Sequence, residues 1–398
     1  LKSVISLLIA IGMLLGGASG VADLPSAAGR ANDELITGDA RFDLYLPLIR
    51  GKKVALLVNH TAMINEVHLL DTLLTLGIDV VKIFAPEHGF RGTADAGEHV
   101  ASGVDKSTGI PVISLYGDHR KPRPEDLEGL DLVLFDIQDV GVRFYTYIST
   151  MSYMMEACAR EKIPFVVLDR PNPNGHFVDG PLMDTCCTSF IGLHAGVPVA
   201  HGMTVGEYGR MVNEEGWLPE GLKADYRVIP VKNWSRDRAF RLPVRPSPNL
   251  PNMKAVYLYP TLCFFEATVL SVGRGTEKPF QVIGHPDFPG DYHFTPKPVP
   301  GARHPKLEGR LCHGIDYSLL SEDSLRAMAR IRLDWIIGAW QRFPDKSTFF
   351  LPHFYRLAGN RELEEQIKAG LSEEEIRASW APGLQNFEQI RSKYLIYP

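Results

Sequence analysis

The sequence predicts an α/β fold, an open parallel sheet with helices on its faces, followed by a smaller α+β C-terminal domain. Three observations carry that expectation. Between Gly51 and Asn174 short apolar runs alternate with helical stripes, the pattern of right-handed βαβ units. The runs are nearly continuous in hydrophobicity, as in parallel strands covered on both faces. After Asn174 prolines and glycines multiply and the alternation stops.

The elements follow in order. KKVALLVNH is the first buried strand. NEVHLLDTLLTLG places Val67, Leu70, Leu73, Leu74 and Leu76 on a helical stripe, with Gly77 positioned to end the helix. DVVKIFAP, IPVISLYG and LDLVLFDIQD read as three further strands, STMSYMMEACAREK as a helix, and IPFVVLDRPNP as a fifth strand. In the second part, Thr204 and Glu207 form a capping box for a helix that Gly216 stops. The end is helical: SEDSLRAMARIRLDWIIGAWQRF, RELEEQIKAG, and a last capped segment from Ser372. A soft boundary is expected near Phe177, giving an α/β domain over 40–176 and an α+β domain over 177–398.

The 398 residues are 45% hydrophobic and 22% charged, with a formal net charge of −5. That balance offers no basic footprint for nucleic acid or an anionic membrane. The first 22 residues read as a signal peptide: an apolar run from Val4 to Leu15, then Ala18-Ser19-Gly20 as a cleavage region. The run is shorter than the ~20 residues a spanning helix needs. The expectation is therefore an exported protein, periplasmic or extracellular, not inserted in the membrane once the signal is removed. Cys158, Cys186, Cys187, Cys263 and Cys312 are odd in number and lack metal-ligand spacing. Cys158, in a helix-like stretch, reads as a small buried apolar residue.

Ligands of open α/β sheets bind beyond the carboxyl ends of the strands. The five strands end in Asn59-His60-Thr61, Glu87-His88-Gly89, Tyr116-Gly117-Asp118-His119, Asp136-Ile137-Gln138-Asp139 and Asp169-Arg170-Pro171-Asn172. Arg143-Phe144-Tyr145-Thr146-Tyr147 follows the fourth. Any one cluster reads as a satisfied turn or cap. Five on one rim read as a site. Glu87 is the candidate general acid, with Asp136, Asp139 and Asp169 as neighbouring carboxylates. Asp139 and Arg143, four apart, read either as site residues or as a helical ion pair. In the second part, Glu266 lies in the apolar run CFFEATVL, and Arg274 stands between two glycines in SVGRGT. Arg274 reads either as a bidentate holder of a substrate carboxylate or as the partner of Glu266. The rim carries no dinucleotide fingerprint, Walker sequence, GxSxG elbow or HExxH, and no cofactor is expected. His88, Asp95 and His99 match no metal motif, and no metal is expected.

APEHGFRG, TGIPVISLYG, FDIQDVGVRFYTY, VVLDRPNPNG, HGMTVGE, RPSPNLPN, SVGRGT and CHGIDY, in that order from about Leu48 almost to the C-terminus, resemble the family first catalogued as DUF1343, which includes exo-β-N-acetylmuramidases of the NamZ type. The resemblance implies a Rossmann-like domain joined to a smaller C-terminal domain, an active site in the cleft between them, and no nucleotide cofactor. It implies release of terminal N-acetylmuramic acid from the non-reducing ends of peptidoglycan fragments. Carried over by motif, the catalytic candidates are Glu87, Glu266 and Asp139. The same motifs make His88, Arg143 and Arg274 substrate-binding candidates, and the rim clusters add Asn59, Tyr145, Asp169 and Asn172. Three segments depart from the family pattern: NHTA at Asn59–Ala62 in place of NQTG, EATV at Glu266–Val269 in place of EGTN, and SVGRG in place of SEGRG. Two rivals follow: a catalytically silent wall-sugar binder that has lost the chemistry at EATV, and a metal-assisted hydrolase on the same scaffold.

Overall fold

The computed structural model describes residues 34–87, 89–90 and 102–398. The signal-peptide expectation and residues His88, Asp95 and His99 lie outside the described residues.

Six parallel strands form the central sheet: β1 (Val54–Val58), β2 (Val80–Ala85), β4 (Pro111–Ser114), β5 (Leu132–Asp136), β6 (Phe165–Leu168) and β9 (Tyr226–Ile229). A short antiparallel strand, β3 (Gly103–Val104), closes one edge, and the order is β9-β6-β5-β1-β2-β4-β3. Counting only the parallel strands, this is the 3-2-1-4-5-6 order of a Rossmann-like sheet, whose switch point lies between β1 and β5. Alternate residues of β1 feed two cores. Ala55 and Leu57 join the large cluster that extends into the C-terminal part. Val54, Leu56 and Val58 pack with Leu69, Leu70 and Leu73 on the other face. Burial on both faces is why β1 reads as a continuous apolar run.

Beyond the sheet, the antiparallel pair β7 (Asp179–Leu182) and β8 (Pro198–Ala200) stands apart. A three-stranded antiparallel sheet, order β10-β12-β11, comprises β10 (Val282–His285), β11 (Tyr292–Phe294) and β12 (Cys312–Asp316). With the helices around it this is the smaller α+β part, and residues 35–398 form one compact unit. The sheet takes β9 from well beyond Phe177, so the central layer is not confined to residues 40–176. No helix among the described residues is long and apolar enough to cross a membrane.

Several helices begin and end where local chemistry directs. The helix expected over NEVHLLDTLLTLG is shorter, α1 (Leu69–Thr75), because Val67–His68 pairs with Met63–Ile64 in a small hairpin. His68 then caps it by accepting from the Leu70 N–H. The Thr204–Glu207 capping box opens α3 (Val205–Glu214), and the Ser372–Glu375 box opens α6 (Glu373–Ser392). The stretch from Ser321 to Phe343 is two helices, broken where Ala329 adopts φ 45°. The long helix α2 (Tyr147–Glu161) is buried along most of its circumference, with Met151, Met154, Met155 and Cys158 in the core. Its N-cap residue, Thr146, makes no side-chain cap. A missing cap costs a helix about 1 kcal/mol, and the place where that hydroxyl goes instead lies in the site.

Candidate active site

A cleft of roughly 390 Å³ opens at the carboxyl rim of the sheet, within the size range of small-molecule sites. The sheet side supplies Glu87 after β2, Tyr116 and Arg120 after β4, and Phe144 to Tyr147 after β5. The C-terminal side supplies Tyr259 from α4 (Met253–Leu262), Glu266 from the 3-10 turn Cys263–Ala267, Arg274, Phe280, and His353, Arg356 and Leu357 around α5 (Phe354–Ala358). The rings interlock edge to face: Tyr145 with Tyr147 at 4.8 Å, and Tyr259 with Phe280 at 4.8 Å. Tyr145 is anchored by its hydroxyl, which donates to the Pro246 carbonyl at 2.7 Å.

Glu87 is held by two hydroxyls. Tyr116 Oη donates to Oε1 at 2.9 Å and Thr146 Oγ1 to Oε2 at 2.7 Å. The Thr146 hydroxyl thus donates to Glu87 and does not accept from the first turn of α2. Hydroxyls can donate to a carboxylate or accept from a carboxylic acid, so this cradle accommodates Glu87 in both protonation states.

Glu266 is held by a cation. Arg274 Nε donates to Oε1 at 2.6 Å and Nη2 to Oε2 at 3.2 Å, a bidentate pair. The guanidinium lies 4.9 Å from the centre of the Phe280 ring. Burial works to lower the Arg274 pKa, but the Glu266 carboxylate overrides it and the net direction is upward. Behind the turn, Lys306 Nζ donates to the carbonyls of Glu266, Thr268 and Leu270 at 2.9, 2.6 and 3.1 Å. Burial pushes the Lys306 amine down to about 8.

Of the residues expected at the site, Glu87, Tyr145, Glu266 and Arg274 come together in the cleft. The other candidates among the described residues do not line it. Asn59 is fully buried, its Oδ1 accepting from the backbone and hydroxyl of Thr61. Asp139 is turned into the protein, where Oδ2 accepts from the Gly141 N–H at 2.8 Å. Burial pushes its carboxyl up to about 7, against the Gly141 and Val140 backbone donors. Gly141 must be glycine there, since φ is +75° and a Cβ would strike the Asn172 side chain. Asp169 accepts from Thr204 Oγ1, Gly206 N and Tyr397 Oη and so ties the start of α3 to the sheet. Asn172 donates to the Met203 carbonyl and accepts from Asn174 N.

Arg143 settles its two readings in favour of neither. Its Nη1 donates to the Pro181 and Val197 carbonyls and its Nη2 to those of Leu357 and Ala358, all at 2.7–2.9 Å. It neither pairs with Asp139 nor reaches the cleft. It ties the β5–α2 loop to the β7/β8 pair and to the end of α5, and burial without a counter-ion pushes its guanidinium down to about 9. Gly359, at φ +86°, leaves room for it.

The departures from the family pattern also lie off the cleft. His60 Nε2 contacts the Arg245 carbonyl. Ala267 and Thr268 are fully buried, with Thr268 Oγ1 accepting from Leu270 N, and Val272 is buried as well. The EATV change therefore leaves Glu266 and Arg274 in place. Sequence reasoning passed over Arg120, Lys306, His353 and Arg356 as site residues. Arg120 follows the rim cluster of β4, which was a signal; HPKLEG and LPHFYR carry none.

A Rossmann-like α/β layer and a smaller α+β part thus bring two carboxylates from distant segments into one aromatic-lined cleft, the layout of a glycosidase. Comparison with known proteins places this class. The family models for the exo-β-N-acetylmuramidase NamZ match here, the N-terminal one over residues 54–254 and the C-terminal one over 257–397. The chain belongs to this family. The peptidoglycan β-N-acetylmuramidase NamZ of Bacillus subtilis (strain 168) is 39% identical over 375 residues, 89% of each chain. Two crystal structures of DUF1343 family proteins from Bacteroides fragilis share the fold. One is 44% identical with a TM-score of 0.85, covering 92% of this chain and 99% of that one. The other is 26% identical with a TM-score of 0.76, covering 92% and 100%.

Proposed function

We propose that the protein is an exo-acting glycoside hydrolase that releases terminal N-acetylmuramic acid from the non-reducing ends of peptidoglycan fragments. The observation that carries this reading is the pair Glu87 and Glu266, held in contrasting ways in one cleft of a chain of this family. Glycoside cleavage needs a proton at the leaving oxygen and negative charge near the anomeric carbon as positive charge develops there. Glu87, with hydroxyl partners, delivers the proton to the leaving oxygen. Glu266, aimed by Arg274 and fixed from behind by Lys306, stabilises the oxocarbenium-like centre. Tyr145, Tyr259 and Phe280 offer apolar faces to the sugar ring. The test is incubation of the purified protein with a chromogenic N-acetylmuramide and with wall-derived disaccharides, with and without chelator. Release of free N-acetylmuramic acid, indifferent to chelator, is the expected result. Binding without turnover would overturn it in favour of a silent binder, and chelator-sensitive release in favour of metal assistance.

The protein works outside the cytoplasm on this reading, as the apolar run Val4–Leu15 and the small residues Ala18-Ser19-Gly20 support. Mass spectrometry of exported protein should find the mature chain starting near Gly20 to Ala22. A mature chain retaining Val4 to Leu15 would contradict export by cleavage.

A further inference from the structure

The cleft holds three arginines and two glutamates among its lining residues, in a chain whose net charge is −5. The arginines are not equivalent. Arg274 is committed to Glu266 through two hydrogen bonds. Arg120 and Arg356 are exposed and face no carboxylate among the described residues. Arg120 lies 4.9 Å from the centre of the Phe190 ring, itself part of the lining. Arg356 touches its neighbour Tyr355, with Nε 3.4 Å from the tyrosine hydroxyl. The hydrogen bonds of Glu87 come from the Tyr116 and Thr146 hydroxyls and not from either guanidinium. The field on the α5 side is positive enough to act on a third group. His353, one turn before Arg356, has its pKa lowered by burial and then by the charges of Lys306 and Arg356, against the opposing pull of Glu266. The 3-10 turn that carries Glu266 packs against α5, which puts Arg356 beside the carboxylate wall.

Two unpaired guanidinium groups in a cleft are suited to a ligand carboxylate, which they can bind in bidentate fashion. We infer that Arg120 and Arg356, rather than Arg274, form the subsite that holds a carboxylate of the ligand. This rests on the muramidase reading, under which two carboxylates are available: the lactyl group of muramic acid and the end of a peptide attached to it. The subsite makes the cleft prefer muramic acid over glucosamine, whose ring carries no such charge. Arg274 positions Glu266 and takes no part in that choice.

Calorimetric titration tests this without turnover. The ligands are N-acetylmuramic acid, its lactyl amide, and muramyl dipeptide with its carboxylates free or amidated. The proteins are the unaltered chain and the variants Arg120→Gln and Arg356→Gln, each checked for an unchanged melting temperature. The unaltered protein should bind the acid about 10–100-fold more tightly than the amide, as a charge-assisted hydrogen bond or two would give. Each variant should lose most of that preference. If acid and amide of the monosaccharide bind alike but the dipeptide's free acid is preferred, and the variants lose that preference, the carboxylate is the peptide's. A preference that survives both substitutions, or its absence from the unaltered protein, overturns the subsite. Failure of the muramidase reading would show separately, as binding preference without release of sugar.

Discussion

The two walls of the cleft handle charge in opposite ways. On the sheet wall the carboxylate at the site, Glu87, has two hydroxyl partners among the described residues. Nearby polar groups are buried without counter-ions: Asp139 on backbone N–H groups, Arg143 on four carbonyls. On the C-terminal wall Glu266 is locked in a bidentate ion pair and its turn is fixed by a lysine. A group that must give up and regain a proton needs partners that tolerate both states. A group that must stay charged needs a cation. On the proposed mechanism this contrast gives the acid's role to Glu87 on the sheet wall and the charge stabiliser's to Glu266 on the C-terminal wall, and substitution can break or refine that division.

The largest loss is expected from Glu266→Gln. It removes the negative charge next to the developing cation and leaves Arg274 unpaired, so kcat should fall about 10³-fold, as for other electrostatic stabilisers. The loss should be similar on poor and good leaving groups, because protonation is not what Glu266 supplies. Glu87→Gln should cost at least ~10²-fold in kcat on a natural disaccharide. An activated substrate such as a nitrophenyl muramide should recover a large part of it. If Glu266→Gln is rescued by a good leaving group and Glu87→Gln is not, the two roles are exchanged.

Much of this was legible in the sequence, for reasons that also explain the rest. Strands β1, β2, β5 and β6 are buried on both faces and announce themselves as apolar runs. Strand β9 lies at the sheet edge with alternating exposure, and Tyr226–Ile229 carries no such run. The break at Ala329 gave no warning, because alanine is a strong helix former, yet here it ends the helix in the left-handed conformation. At the site, Glu266 stood out as an acid in an apolar run, and Glu87 as an acid at a strand end. Asp139, Arg143, Asp169 and Asn172 look equally functional as letters. Strand ends fix which rim a residue reaches, but not whether its side chain points to solvent or back into the loop. Arg356 reaches the cleft, and Lys306 the turn behind Glu266, from more than 250 and 200 residues after the first strand, through contacts that no local pattern encodes.

A smaller effect is expected at Lys306, which touches Glu266 only through the main chain. A lysine ammonium has three N–H groups, and here there are three carbonyls to receive them. Lys306→Met leaves those carbonyls without their donor and lets the turn shift, so kcat should drop about 10-fold with little change in KM, in line with the cost of small misplacements. Because burial lowers the amine to about 8, the unaltered enzyme should lose activity as pH rises through that value. The pH profile of Lys306→Met should lack this alkaline limb. A limb that persists unchanged would place its origin elsewhere.

Asp139→Asn refines the comparison from the sheet side, and here the effect is on stability. The Asp139 carboxyl is pushed up to about 7 by burial, from an ordinary 3.8. A folded-state pKa above the unfolded one means the folded protein holds the proton longer. Stability from this group is therefore complete below about pH 4, falls as pH rises toward 7, and stays low above it. Asparagine keeps the shape and an acceptor oxygen for the Gly141 N–H and has no charge to bury. The variant should melt higher than the unaltered protein at pH 8, by an amount of roughly 1–4 kcal/mol, and show little difference at pH 4. Activity should change by less than about 3-fold, since Asp139 does not line the cleft. A 10²-fold fall in kcat with an unchanged melting curve would mean that the loop opens on binding and brings Asp139 to the sugar. That result would make the sheet wall, like its counterpart, a carrier of fixed charge.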